Sequence, residues 1–323
     1  MIHATLQIKN KTLTTRLVFP PMATHSSAKG HISADLINHY TAIAKNPLVG
    51  TIITEHAYVD PTGKVDDKQV SLASDDVLPA QRHLVSSIHA VRPELIVIAQ
   101  MNHSGAWTNE DPVGYELLSS SDVTCRGRKA RALTKEEIKY LVGQYAAAAR
   151  RVQAAGYDGV EIHCAHAYLL NQFYSPLLNT RTDEYGPQSL ENRTRFLLEV
   201  VAAVRDAVGP DYLVAVRLGG CDYQPGGSTI EDAAQTAVLL EKAGVDLIDL
   251  SGGTCRYIRQ DHQEPGYFSD MSAAVKAVVS VPVLVTGGIQ TPADAEALLQ
   301  AGKADLVGVG RGLYKNPRWG FDQ

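Results

Sequence analysis

Cysteine is scarce in this chain of 323 residues, and its four occurrences lie far apart. There is no CxxC pair, and no secretory signal precedes the first cysteine, which argues against a disulfide framework. We therefore expect a cytoplasmic protein with reduced thiols. The four cysteines are Cys125, Cys164, Cys221 and Cys255.

Long apolar runs and an excess of basic charge are also missing. Even the run ending at Val281 is interrupted by polar residues, so no stretch reaches the roughly 20 apolar residues of a bilayer span. The 30 Lys and Arg are outnumbered by 35 Asp and Glu, for a net charge of −5. Nucleic acids and anionic membranes attract clustered cations, so we expect neither as a partner and predict a small-molecule substrate. The one basic run, Arg126 to Arg131, is interpreted as a solvated loop.

A dinucleotide-binding fingerprint is absent as well. A Rossmann fold needs GxGxxG between its first strand and first helix, but the corresponding turn, Met22 to Ser27, reads MATHSS. A classical Rossmann domain is therefore excluded at the start of the chain.

Short apolar runs rich in β-branched residues alternate with longer helix-patterned segments. Strands that are apolar on both faces are typical of a parallel sheet covered by helices. Eight such repeats, without a change of composition along the chain, predict an α/β fold: one closed (β/α)8 TIM barrel over residues 1–323. An open doubly wound sheet is the alternative. The predicted strands are Leu17 to Met22, Thr51 to Thr54, Leu95 to Met101, Gly159 to His163, Leu213 to Leu218, Leu247 to Leu250, Val283 to Thr286 and Leu306 to Val309.

Two helix starts have clear capping signals. Thr134 is followed three residues later by Glu137, the pattern of a capping box before the alanine-rich run to Arg151. Asp294 to Gln300 follows Thr291 and Pro292 in the same way.

Glycine-rich turns follow the seventh and eighth predicted strands. Gly287 and Gly288 follow the seventh, and Gly310 and Arg311 follow the eighth, where barrels commonly bind phosphate. Glycine lets the backbone N–H groups approach an anion closely, and the arginine adds a charged donor. The pair of turns predicts a phosphorylated ligand, although tight turns alone would also use glycine.

Polar side chains converge at the end of the fourth predicted strand. His163, His166 and Tyr168 fall where barrel enzymes place their chemistry. Neutral imidazoles can donate to a carbonyl or nitro oxygen, and a phenol can deliver a proton. A metal site of His163, Cys164 and His166 is disfavoured because successive strand residues point to opposite faces and a fourth ligand is missing. Two structural core histidines are the other alternative.

The segment from Gly159 to Pro176, GVEIHCAHAYLLNQFYSP, continues through NTRTDEYG at residues 179–186 to ENR at residues 191–193. This pattern resembles the signature of the old yellow enzyme family. Matching positions run from the Arg16 to Met22 segment to the two glycine turns, so essentially the whole chain is covered.

The resemblance implies FMN bound at the top of the barrel. It further implies hydride transfer from NADH or NADPH to the flavin, and from the flavin to the β-carbon of an activated alkene. One site would serve both half-reactions in turn, so no separate dinucleotide motif is needed.

The resemblance also assigns roles to individual residues. His163 and His166 would bind the acceptor, and Tyr168 would protonate its α-carbon. His56 is placed after the second strand. The positions expected to contact the cofactor are Pro21, Met22, Ala23, His56, Gln100, His163, Arg217, Gly287, Gly288, Gly310 and Arg311.

Several positions depart from the family pattern. Ala23 lacks the side chain with which Thr or Cys would reach the flavin, which affects redox tuning. His25, His56 and Trp107 replace other residue types and are expected to reshape the acceptor pocket. We expect one flavin and no metal, with the possibility of a homo-oligomer left open.

Other activities fit the same residues. An oxidase, a demethylase or a nitro-reductase could use an identical flavin site. A flavin enzyme acting on tRNA is disfavoured by the acidic charge balance. A phosphate-binding aldolase or isomerase without flavin would rest on the glycine turns alone.

Overall fold

The structure is a computed structural model that describes residues 1–108 and 115–321. Two parts of the sequence-based predictions extend beyond it. The predicted domain ends at Gln323, which lies outside the described residues, and residues 109–114, between the third and fourth predicted strands, lie outside them as well.

Thirteen strands are found in the described residues, eight of them in a closed parallel barrel, which confirms the predicted fold class. The barrel strands are β3, β4, β5, β9, β10, β11, β12 and β13, and pairing of β13 with β3 closes the ring. In chain order the strands are β1 (Leu6–Ile8), β2 (Lys11–Leu13), β3 (Leu17–Phe19), β4 (Val49–Tyr58), β5 (Ile96–Asn102), β6 (Leu117–Ser119), β7 (Val123–Cys125), β8 (Arg128–Ala132), β9 (Gly159–Cys164), β10 (Leu213–Cys221), β11 (Leu247–Gly252), β12 (Val283–Val285) and β13 (Leu306–Gly308).

Helices fill the connections between the barrel strands. Both predicted capping boxes are present, at Thr134 with Glu137 and at Thr291 with Asp294, and Thr229 with Asp232 forms a third. No helix of the described chain is both long and apolar enough to cross a membrane. The helices are α1 (Ala34–Ala44), α2 (Leu78–Val91), α3 (Lys135–Ala155), α4 (Leu169–Tyr174), α5 (Leu190–Val208), α6 (Ile230–Lys242), α7 (Ser269–Lys276), α8 (Pro292–Gln300) and α9 (Arg311–Lys315).

The strand ends differ from the prediction in two instructive places. β3 ends at Phe19 because Pro20 and Pro21 have no N–H to donate to a neighbouring strand. β4 continues to Tyr58, four residues beyond the predicted end at Thr54, after a shift of register in its pairing with β5. The prediction that His56 follows the second barrel strand is therefore wrong: it lies within β4.

The solvated loop predicted for the basic run is found only at Arg126, which is exposed in the turn before β8. Arg128 begins β8, which pairs with β6 and β7 in a three-stranded sheet. Arg131 forms ion pairs with Glu116 and Glu137, so its charge is neutralised within the molecule.

An apolar layer fills the lower part of the barrel, and a polar layer lies directly above it. Inward-facing strand residues alternate with period two, so each polar residue lies two positions beyond an apolar position or a glycine. Gln100 follows Ile98, and Arg217 follows Ala215. The apolar layer consists of Ile8, Leu13, Val18, Ile53, Ile96, Ile98, Leu213, Ala215, Leu247, Leu284 and Leu306.

Candidate active site

The polar layer is assembled by strand register. Gln100 pairs with Glu161, Arg217 with His163, and Arg217 also with Asp249 on its other side. Paired residues of parallel strands share a face, so these side chains lie together at the carboxyl end of the barrel. This is the end at which barrel enzymes carry out their chemistry.

The predicted trio of His163, His166 and Tyr168 does converge. The ring centres of His163 and His166 are 4.9 Å apart, and those of His163 and Tyr168 are 5.2 Å apart. All three side chains are buried. His166 Nε2 shares a hydrogen bond of 2.7 Å with Ser251 Oγ, whereas His163 Nδ1 is buried and has no hydrogen-bond partner among the described residues. A bound molecule could therefore supply the missing partner of His163.

Burial keeps this trio uncharged. Loss of solvation lowers the pKa of His163 and of His166 well below the ordinary value of 6.5, and the nearby Arg217 lowers both further. Burial raises the pKa of Tyr168, which therefore retains its proton. Neutral imidazoles and a protonated phenol are hydrogen-bond donors that need not first lose or gain a proton.

The backbone between the two histidines and the tyrosine is strained. His166 and Ala167 have φ angles of 63° and 62°, a left-handed conformation that non-glycine residues rarely adopt. The Asn171 Oδ1 acceptor holds the Ala167 N–H at 2.9 Å, and His166 donates its own N–H to Gly252. Strain of this kind clusters at ligand sites.

His56 belongs to the same cluster despite the error in its predicted position. Its ring centre lies 5.5 Å from that of Tyr168 and 6.4 Å from that of His163. Its Nδ1 lies 2.6 Å from Gln69 Nε2, so the ring nitrogen accepts from the amide. Burial lowers the pKa of His56 to about 4. A third neutral imidazole thus lines the site.

A buried charge cluster lies beside the imidazoles. Arg217 Nε is 3.0 Å from Asp249 Oδ2, but among the described residues neither this nitrogen nor the Asp249 carboxylate forms a hydrogen bond. Arg217 Nη2 donates to Thr286 Oγ1 at 3.5 Å. Gln100 donates to Glu161 Oε1 at 2.7 Å, while Glu161 Oε2 has no hydrogen-bond partner in the described part of the chain. Burial raises the pKa of Asp249 to about 6 and that of Glu161 well above its ordinary value. Arg217 therefore retains donors for a further, negatively polarised group.

The segment after β3 borders the same region. Pro21, Met22 and Ala23 are partly buried, and the next residue, Thr24, is held by Glu55 through both its N–H and its hydroxyl. Burial raises the pKa of Glu55 to about 6. This anchoring fixes the path of the predicted cofactor-contacting residues.

The two glycine turns meet at one edge of the barrel mouth. Gly287 and Gly288 have φ angles of 122° and 70°, and a Cβ at Gly288 would lie 2.7 Å from the ring of Tyr267. Arg311 Nη2 donates to the Tyr267 hydroxyl at 3.1 Å. A Cβ at Gly310 would lie 2.9 Å from the sulfur of Met22, which joins this edge to the segment after β3. The two glycine turns fit a cofactor that carries a phosphate. His163 Nδ1 and Arg217 Nε, which lack hydrogen-bond partners among the described residues, fit its ring system.

The two predicted pocket residues lie at the rim. His25 is half exposed, with Nδ1 3.1 Å from Asp66 Oδ2, and has a φ of 54°. Trp107 faces the guanidinium of Arg256, whose carbon lies 4.6 Å from the ring centre. The structure thus places Trp107 against the rim of the site and His25 further out.

Four residues of this site were not predicted from the sequence. Glu161 and Asp249 could have been found, because a carboxylate inside an apolar strand needs an explanation. Ser251, two residues beyond Asp249, follows the same alternation. Arg256 lies in an irregular loop and gives no periodic signal.

Comparisons with known proteins give a consistent result. The family model described as "NADH:flavin oxidoreductase / NADH oxidase family" matches residues 2–322. An NADPH dehydrogenase of Clostridium acetobutylicum is 35% identical over 96% of this chain and 90% of its own length. An NADH oxidase of Thermoanaerobacter brockii is 36% identical over 97% of this chain, but the match spans only 49% of that protein. The chain thus spans about half the length of some of its relatives.

A solved structure shares the fold. Morphinone reductase in complex with tetrahydroNAD superposes with a TM-score of 0.82 at 25% identity, covering 98% of this chain and 88% of the other.

Proposed function

This chain belongs to the NADH:flavin oxidoreductase / NADH oxidase family, and we propose that it binds FMN and reduces an activated alkene with electrons from NADH or NADPH. The membership confirms the resemblance seen in the sequence. FMN, when bound, would supply a two-electron carrier that accepts hydride from the nicotinamide and passes it to the acceptor. Residues 1–323 would form one FMN-binding domain.

The residues that would hold FMN are distributed around the barrel mouth. Gln100 and Arg217 would contact its ring system, since both are buried and Arg217 Nε has no hydrogen-bond partner within residues 1–108 and 115–321. The glycine turns and Arg311 would bind its phosphate. Pro21, Met22, Ala23 and His56 would complete the lining. A cation near the ring stabilises negative charge that develops on reduction.

The neutral histidine pair supports the alkene-reducing activity. His163 and His166 would donate to the oxygen of a carbonyl or nitro group, withdrawing electron density from the β-carbon that receives hydride. Tyr168, held 5.2 Å from His163 between ring centres, would give its proton to the α-carbon. This uncharged, buried trio is the single observation that carries the proposal.

The visible spectrum of the purified protein tests it first. FMN in its oxidised form absorbs visible light and bleaches on reduction, so anaerobic addition of NADPH or NADH should bleach the protein. Addition of an enone should then restore the colour. A colourless protein that cannot be reconstituted with FMN would refute the proposal.

Dioxygen is a second candidate acceptor, because one relative is named NADH oxidase. Oxygen uptake during NADH oxidation, measured with and without an enone, separates the two. Nitro reduction is tested by replacing the enone with a nitro compound, and demethylation by replacing the nicotinamide with a methylated amine as the electron donor.

The substrate is proposed to be a small molecule, and the cellular location cytoplasmic, in keeping with four free cysteines. A homo-oligomer is tested by light scattering after size-exclusion chromatography.

A further inference from the structure

Arg256 has no ion-pair partner among the residues that the structure describes. It follows β11, and its guanidinium carbon lies 4.6 Å from the ring centre of Trp107 and 5.5 Å from that of Tyr257. Its Nε is buried and has no hydrogen-bond partner, and no carboxylate of residues 1–108 and 115–321 forms an ion pair with it. By contrast, Arg259 in the same loop pairs with Asp261 and Asp270.

The groups that Arg256 influences are those of the reaction site. Burial is the main cause of the low pKa values of His56, His163 and His166, and the charge of Arg256 lowers each of them further. It also lowers the pKa of Tyr168, against the larger effect of burial. The ring of Tyr257, which lies against the guanidinium, is 6.1 Å from the ring of His166 between centres, so the guanidinium lies close to the reacting end of the site.

The position of Arg256 destabilises the folded protein unless a ligand supplies the missing hydrogen-bond partner. A desolvated, unpaired donor on a charged group is unfavourable, and the φ of 61° at Arg256 adds backbone strain. The two aromatic rings lie near the guanidinium carbon and help to hold the group in place, while Nε remains available to a ligand. A planar fork of N–H donors matches a carboxylate or a phosphate.

We propose that Arg256 binds an anionic group, a carboxylate or a phosphate, carried by the electron acceptor, with Trp107 supporting the guanidinium. The inference rests on the proposed function, in which His163 and His166 hold the carbonyl of that acceptor. The phosphates of a nicotinamide nucleotide are the other source of anionic charge. They are separated from the reactive ring by a ribose, whereas Arg256 lies near the reacting groups, so the acceptor is favoured.

Calorimetry on the oxidised, FMN-loaded protein tests the proposal without turnover. The ligands are 4-oxo-4-phenylbutanoate and its methyl ester, which differ in one negative charge. In Arg256→Met, which keeps an apolar stem against Trp107, the Kd of the acid should rise on the order of 10- to 100-fold. The Kd of the ester should not change. Arg256→Lys should fall in between, because it keeps the charge but not the planar fork.

Arg259→Gln is the matched control, since it removes a charge three residues away that is already paired, and it should leave both Kd values unchanged. Equal losses for acid and ester, no loss for either, or a loss in Arg259→Gln as large as in Arg256→Met would overturn the proposal. So would a rise in the KM of NADPH with unchanged binding of the acid, because the anionic group would then belong to the nucleotide.

Reduction of methyl 4-oxo-4-phenylbut-2-enoate by the unmodified protein tests the proposed function separately. This neutral ester does not need Arg256. Failure to reduce it would count against alkene reduction, whatever the calorimetry shows for the anion.

Discussion

Tyr168 and the two neighbouring imidazoles are kept neutral by burial rather than by pairing with charges. Such groups can donate hydrogen bonds throughout the neutral pH range. Their proximity means that an oxygen bound between His163 and His166 places the adjoining alkene beside the phenol. In the proposed reaction, proton delivery by Tyr168 would be needed only when the acceptor is reduced, which distinguishes the two half-reactions.

Tyr168→Phe should slow acceptor reduction by about 100-fold, the lower range for loss of a general acid. Reduction of FMN by NADPH should change little, because no proton from Tyr168 is used there. Stopped-flow absorbance measures the two steps separately. Tyr314→Phe, at an exposed tyrosine, is the control and should resemble the unmodified protein. Equal slowing of both steps in Tyr168→Phe would contradict the assigned role.

The rate of acceptor reduction should be nearly constant between pH 6.5 and pH 10. These are the ordinary pKa values of histidine and tyrosine. Burial lowers the histidine pKa values, so the neutral imidazoles already predominate at pH 6.5, and it raises that of Tyr168, which keeps its proton at pH 10. Single-turnover rates across this range test the expectation, and a titration near pH 7 would contradict it.

Among the elements, the βα loops and the strand ends hold most of the site. The sequence allowed the eight barrel strands to be predicted because each is apolar on both faces. It did not allow the end of β4 to be predicted, because Glu55 and His56 are polar yet lie in a strand that faces the site. The alternation rule fails at such places, since the polar side chains are retained for function.

Gly288→Ala should weaken FMN binding at least tenfold. The added Cβ would lie 2.7 Å from the Tyr267 ring, at a φ of 70°, so the turn must move. Gly302→Ala is a matched control, because its φ is 66° but nothing lies within 4 Å of the added Cβ. It should reduce stability by roughly 1 kcal/mol without changing FMN affinity. Fluorescence titration with FMN compares them, and equal affinity in both variants would contradict phosphate binding at this turn.

Thr134→Ala should lower the free energy of unfolding by about 1 kcal/mol. The Thr134 hydroxyl accepts from the Glu137 N–H at 3.2 Å, and Glu137 accepts from the Thr134 N–H at 2.8 Å, so the substitution removes one half of the capping box of α3. Urea denaturation measures the change. Lys139→Ala, at an exposed position of the same helix, should stay within about 0.5 kcal/mol of the unmodified protein. A loss as large in Lys139→Ala would mean that the cap contributes nothing specific.

At the scale of the whole molecule, the fold and the family could be predicted from the sequence, whereas several contacts between side chains could not. The repeated strand pattern and the segment around His163 were sufficient for the barrel and the family. The pairing of Trp107 with Arg256 joins two irregular loops from different strands, and no periodicity predicts which loop side chains will meet. The strand register was needed before the contact of Asp249 with Arg217, or of Glu161 with Gln100, became apparent.

Removal of FMN should destabilise the whole chain, because only the folded barrel brings the binding residues together. At free FMN of 100 times its Kd, the stabilisation should be about 2.7 kcal/mol. Thermal melts with and without FMN measure it. Riboflavin, which lacks the phosphate, should stabilise less if the glycine turns bind that group. An unchanged melting temperature with FMN would contradict the proposed cofactor.

The closed ring has a consequence for how the chain folds. Each barrel strand has a neighbour on both sides, so among the described residues the free strand edges belong to short strands outside the barrel, such as β1 and β7. Edge-to-edge association of finished molecules is thereby restrained. The risk of aggregation falls instead in the folding process, because β3 and β13 come from distant parts of the sequence and pair late. Until they meet, a growing sheet exposes two long edges, and slow closure is the period in which this chain is most open to aggregation.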